Sequence, residues 1–343
     1  MVGYARSISC NFMKDLKTGV LACLLARVNE DDTLMLALRG DYVNVYYRGG
    51  SLLKISKHSM KPSEPQSTYC VHFDENFYRE CASLRVDFPS RVSDEAYTKR
   101  LVEAIPNLKY AMDRFFKENS RPEREFQQLV ARENNLSRIA NETEYFIVDI
   151  EVAGALPKAK FDMLAVRWLS NERNQPAALV PALIEMKYAN GALDGESGLV
   201  KHLKDAYSLR RDEASWQMLR TGLANHLKQL DELDQLRFNR STAVPDLLLD
   251  PKGTPELIFL LANYNPRSTK LFDIRSKFDA YLNSEDPQDS QERLFDVRFF
   301  QGSFAGYGMH HASMLKPHDF KELLQKLHAA ARPRRPGCSP PRA

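Results

Sequence analysis

One stretch near the middle constrains the fold more than any other: the run AALVPALIEMKYANG from Ala177 to Gly191. Val180, Leu183 and Ile184 have the aliphatic, partly β-branched character of a buried strand. Glu185 and Lys187 follow two residues apart, and the period of a strand sends both side chains to one face. A carboxylate and an ammonium on an otherwise apolar strand are costly to bury unless each meets a partner. A metal ion and a phosphate are such partners. A strand end emerging into solvent with an ion pair is the plainer alternative.

The chain of 343 residues is long for one domain and ample for two. With 43% hydrophobic and 27% charged residues it has the composition of an ordinary soluble globular protein. No apolar run approaches the ~20 residues that span a bilayer, so no membrane partner is expected. The N-terminus shows no apolar segment followed by a small-residue cleavage site, which argues against secretion. Cys10, Cys23, Cys70, Cys81 and Cys338 are scattered and odd in number, as suits free thiols in a reducing cytoplasm. Cys70, His72 and Cys81 lack a fourth ligand at zinc-like spacing. The net charge of +3 owes much to Arg332, Arg334, Arg335 and Arg342 in the C-terminal tail. Any nucleic-acid affinity of the folded part must therefore come from local clusters.

Read in order, residues 11–29 predict a helix, with Phe12, Leu16, Val20 and Leu24 at helical spacing. TLMLAL, YVNVYY and SLLKI predict an antiparallel meander, and the RGG at Arg48–Gly50 reads as a hairpin turn. Lys61–Thr68 reads as a polar loop and YCVHF as a further strand. A helical pattern over Val92–Lys117 should be kinked or split by Pro106. This first region, 1–118, carries no constellation that spells out chemistry.

The next region opens on a helix start. Ser120 reads as the N-cap, Pro122 falls in the first turn, and Glu123 completes an S-x-x-E capping box. That gives Glu123 a structural task and leaves Glu125 at the edge of the Phe126, Leu129, Val130 stripe. YFIVDIEVAG predicts a strand with Asp149 and Glu151 on one face. KFDMLAVRWL returns as a second strand carrying Asp162, and the strand of Glu185 and Lys187 is the third. Ser197–Leu209 predicts a helix with Leu199, His202, Leu203 and Ala206 inward. A longer helix over 212–237 and a buried strand, PELIFLLANYN, follow. The last part predicts a helix over 268–282, a sheet-extending strand over 293–304, a closing helix, and a disordered basic tail over 331–343. His310 and His311 come after a Gly-rich stretch, and adjacent histidines point in different directions.

Over Ser120–Asn265 the sequence resembles the PD-(D/E)XK nuclease superfamily. Glu125 matches the leading acid, Asp162 the motif aspartate, and Glu185-Met186-Lys187 the (D/E)XK element. Phe161 replaces the motif's proline, and Asp149 and Glu151 remain rival acids. Lys204 and Tyr207 resemble the polar residues that the following helix often adds. The resemblance implies an α/β fold of the α+β mixed-sheet kind, with a restriction-endonuclease-like core of helix, three-strand meander, helix, strand over 119–330. It implies a Mg²⁺-dependent deoxyribonuclease, most simply an endonuclease, with Mn²⁺ as a substitute ion and RNA as a second possible substrate. Asp162, Glu185, the Met186 carbonyl and Glu125 would hold metal, and Lys187 would orient water or phosphate. The N-terminal domain would supply recognition, regulation or self-association, and defence against foreign DNA is a setting that the resemblance suggests. The competing class is a non-catalytic nucleic-acid- or protein-binding module that keeps the fold.

Overall fold

The computed structural model describes residues 4–58, 68–77, 87–152, 159–174, 178–189, 193–241, 248–249, 253–264, 269–285, 293–302 and 308–331. Cys81, most of the polar loop expected over 61–68, and the C-terminal tail lie outside them. The described residues form a mixed α/β structure with two sheets and eight helices.

The first half begins with α1 (Cys10–Lys17) and α2 (Ala22–Glu30). The sequence pattern predicts a single helix here. Thr18–Leu21 interrupts it, and Gly19, a poor helix former, lies in the break. Strands β1 (Leu34–Leu38), β2 (Tyr42–Tyr47), β3 (Gly50–Lys57), β4 (Tyr69–His72) and β5 (Arg91–Val92) form an antiparallel sheet in chain order. The RGG segment is the β2–β3 turn. Arg48 and Gly49 both have positive φ, 49° and 72°, as a two-residue hairpin loop requires. Helix α3 (Glu95–Glu118) runs through Pro106 without the expected split. Pro106 faces solvent, where the carbonyl it leaves unpaired can reach water. The opposite stripe of Leu101, Ile105, Leu108 and Met112 is fully buried and holds the helix.

The second half follows the order that the sequence predicts. Helix α4 (Pro122–Asn135) leads into β6 (Tyr145–Ile150), β7 (Met163–Arg167) and β8 (Ala178–Tyr188). Then come α5 (Leu199–Arg211), α6 (Glu213–Glu232), β9 (Leu248–Leu249) and β10 (Glu256–Ala262). Helix α7 (Lys270–Glu285), β11 (Asp296–Gly302) and α8 (Pro317–Ala331) complete the chain. The sheet order is β11-β10-β8-β7-β6, with β9 beside β8. Strands β6, β7 and β8 pair antiparallel, whereas β8, β10 and β11 are parallel. Both faces are covered, so the strands read as nearly continuous apolar runs. Ile147, Ala165, Ile184 and Ile258 pack with Val130 and Ala131 of α4. The alternate residues Phe146, Leu164, Leu183 and Phe259 share a core with Leu203 of α5 and Leu227 of α6.

The expected boundary near residue 118 falls between α3 and α4, yet the apolar core continues across it, from Phe12 and Leu108 to Leu183. A buried polar network also crosses it. Asp149 accepts from Arg39 Nη1 and from Tyr4 Oη at 3.2 Å, and Arg6 Nε lies 3.3 Å away. Tyr4 Oη is 2.7 Å from His226 Nδ1 on α6. Backbone approach is also close at Gly222, where a Cβ would lie 2.3 Å from the Tyr4 carbonyl oxygen.

Candidate active site

The residues singled out on β8 lie at the wall of a cleft of about 890 Å³ between the two sheets. Antiparallel register pairs Met163 with Ile184, so Asp162, just outside β7, comes level with Glu185. Glu185 and Lys187 share a strand face as their spacing predicts, and Lys187 Nζ is 2.5 Å from Glu185 Oε1. The ion pair is thus within one strand, and both side chains are nearly inaccessible, 3% and 5% exposed. His202 on α5 adds Nε2 at 2.9 Å from the same carboxylate oxygen, and its Nδ1 lies 3.2 Å from the Lys160 carbonyl.

Asp162 is fixed from two sides. Its Oδ2 accepts from the Met186 backbone N–H at 2.8 Å, and its Oδ1 from Gln127 Nε2 at 2.8 Å. Met186 therefore enters the site through its main-chain donor, while its side chain packs beneath α4. Loss of solvent, followed by the nearby Glu185 and Glu123 carboxylates, pushes the Asp162 carboxyl well above its ordinary value. Glu123, at the cleft mouth, is also raised, first by the protein that displaces water around it and then by Glu185 against the pull of Lys187. Glu185 and Glu123 thus both push Asp162 upward, while Lys187 pulls it down.

The structure keeps Glu125 out of the cleft. Glu125 turns away from the cleft to Arg48, with contacts of 2.8 and 3.3 Å, and Arg48 also holds Asp113. The capping box does not form: Arg121 is the N-cap and no side chain caps the helix. Glu123, freed of that task, lines the cleft. Two other expectations are corrected. Asp149 is spent on Arg39, Arg6 and Tyr4, so it is a structural ion-pair centre. Lys204 lies over the Tyr281 ring at 5.4 Å and is not among the cleft residues. Glu151, the other rival acid, does line the cleft but pairs with Arg124 at 3.1 Å. Sequence reasoning missed Glu123, Gln127 and His202 as site residues. The signal was the helical spacing that sets Glu123 and Gln127, four apart, on one face and Glu125 on another.

The carboxylate oxygens of Asp162, Glu185 and Glu123 along the cleft are hard donors, the kind that an oxygen-seeking divalent cation takes. Among the described residues only Glu256, Asp296 and His311 bring three ligand atoms within 4.8 Å of one another. That cluster is already neutralised. Glu256 takes Arg167 and Tyr145 Oη, while Asp296 takes Arg298, whose Nη2 also lies 3.1 Å from His311 Nε2. It has the character of an ion-pair network that ties β10 and β11 to β6 and β7.

No protein-family model, curated protein or solved structure matches this chain. Among the described residues no helix is long and apolar enough to cross a membrane.

Proposed function

We propose that the cleft belongs to a metal-dependent phosphodiesterase acting on nucleic acid, with DNA as the first substrate to test, on a restriction-endonuclease-like core. The observation that carries this reading is the convergence of Asp162, Glu185 and Lys187 at one end of β7 and β8, with Glu123 facing them. The succession α4, β6–β7–β8, α5, β10 supports the same reading, because it follows the order that the resemblance implies.

Asp162 and Glu185 would hold the ion, with Glu123 reaching it from the mouth. When bound, a divalent cation supplies charge neutralisation at the phosphate and acidifies a coordinated water. Lys187, a compact charge beside Glu185, would orient that water or the phosphate. Gln127 and the Met186 N–H keep both Asp162 oxygens in place, and His202, steadied by the Lys160 carbonyl, does so for Glu185.

Thermal denaturation tests the metal claim without any substrate. Mg²⁺ or Mn²⁺ should raise the melting temperature of the wild type by mass action. Asp162→Asn should melt higher than wild type without metal, because it removes a carboxylate whose ionisation the fold opposes. The new amide can be met locally, since Gln127 Oε1 has no hydrogen-bond partner among the described residues and can turn toward it. The same variant should lose the metal-induced shift. An undiminished shift in Asp162→Asn would remove Asp162 from the site.

A further inference from the structure

We propose that the cleft wall built from the first sheet binds single-stranded nucleic acid and leads it to the acids of the second sheet. The proposal rests on the phosphodiesterase reading for what happens at those acids, while the wall stands on its own observations. The first is size. A volume of about 890 Å³ is near the top of the range for pockets that enclose one small ligand, about 300–1,000 Å³. A few nucleotides of one strand are of the size that such a space holds.

The second observation is Arg6. Its side chain is 13% exposed and lines the cleft, 3.3 Å from an Asp149 carboxylate that Arg39 and Tyr4 already engage. Its buried Nε meets that carboxylate as an ion pair without forming a hydrogen bond, and the carboxylate is shared with Arg39 and Tyr4. A planar fork of five donors that only shares one carboxylate keeps donors for a phosphate. Lys160 and Arg121 line the same cleft with no carboxylate partner among the described residues. The third observation is aromatic. Tyr42 on β2 lines one wall half-exposed, with Lys54 Nζ 4.3 Å from its ring centroid. Tyr188 on β8 lines the other, its ring braced by Phe126 at 4.9 Å. Basic forks beside aromatic faces grip a backbone and stack unpaired bases with little sequence preference.

The test is fluorescence anisotropy in EDTA, where no metal-dependent cleavage occurs. A labelled DNA strand, the same strand annealed to its complement, and the matching RNA strand are each titrated with full-length protein. One or both single strands should bind at least about tenfold more tightly than the duplex, and the tighter arm names the polymer. Tyr42→Ala should weaken single-strand binding about tenfold with unchanged salt dependence, and Tyr42→Phe should restore it. Arg6→Ala should weaken binding and lower the slope of log affinity against log salt by about 0.7, the loss of one phosphate contact. If Arg6→Ala does not fold, the Tyr42 pair and the duplex comparison decide. Duplex binding as tight as single-strand binding, or wild-type affinity in Tyr42→Ala, would overturn the proposal. Single-strand binding in EDTA with no cleavage in any divalent ion would refute the phosphodiesterase reading and leave this one standing.

Discussion

Glu123 and Glu125 are two residues apart on α4 and are put to different uses. Glu123→Gln should slow cleavage and raise the Mg²⁺ concentration needed for it, because it removes a carboxylate from the cleft. Glu125→Gln should leave cleavage unchanged and cost less than about 1 kcal/mol, as expected for a half-exposed ion pair. Cleavage rate against Mg²⁺ concentration for both variants reads this directly, and a slow Glu125→Gln beside a normal Glu123→Gln would reverse the assignment. Glu185 and Lys187 were legible as neighbours on one face from their period-2 spacing, whereas Asp162 was picked out from Asp149 and Glu151 by the resemblance alone. Glu123 was not legible, because a capping box is a local pattern and the structure starts the helix one residue later, with Arg121 as the N-cap. A second residue-scale prediction concerns His226, whose burial pushes its pKa down to about 4. The unfolded chain takes up that proton first, so this contribution is complete above about pH 6.5 and is lost as pH falls toward 4. Its size is on the order of 3 kcal/mol. Urea unfolding at pH 7 and pH 4 should show a larger loss for wild type than for His226→Gln; equal losses would mean that the imidazole titrates normally.

At the scale of elements, the β2–β3 hairpin sets the register of the helix that carries the site. Gly49 N donates to Gln128 Oε1 at 2.7 Å, Arg48 captures Glu125, and a Cβ on Gly49 would lie 2.3 Å from the Arg124 backbone. Gly49→Ala combines a left-handed φ with that overlap, so it should destabilise the protein by about 2 kcal/mol or more. It should also weaken the metal-induced thermal shift, since displacing the hairpin moves Glu123 and Gln127. Equilibrium unfolding of Gly49→Ala with and without Mg²⁺ checks both effects; wild-type stability would show that the hairpin does not brace α4. The RGG turn was legible as a turn, but its docking on α4 was not, because nothing in the local sequence says which distant helix a hairpin will meet. The break between α1 and α2 and the unbroken α3 show the same limit. Helical periodicity is preserved across a short interruption, and a proline on a solvent face need not end a helix.

Across the whole molecule the two sheets share one apolar core and one buried charge centre at Asp149, so the first half is built into the cleft. Arg6, Arg39, Tyr42 and Tyr46 face the acids of the second half across that cleft. The sequence divides readily into two regions by its pattern of elements, but burial between regions has no periodic signature and could not be read there. On the proposed function, Asp162, Glu185 and Lys187 act together in metal-dependent phosphodiester cleavage. Its most direct measurement is incubation of wild type, Glu185→Gln and Lys187→Ala with circular DNA, linear DNA and RNA in Mg²⁺, in Mn²⁺ and in EDTA. Wild type should cleave at least one substrate in a divalent ion and none in EDTA, and neither folded variant should cleave any. Cleavage that persists in EDTA, or in either variant at the wild-type rate, would contradict the proposed function.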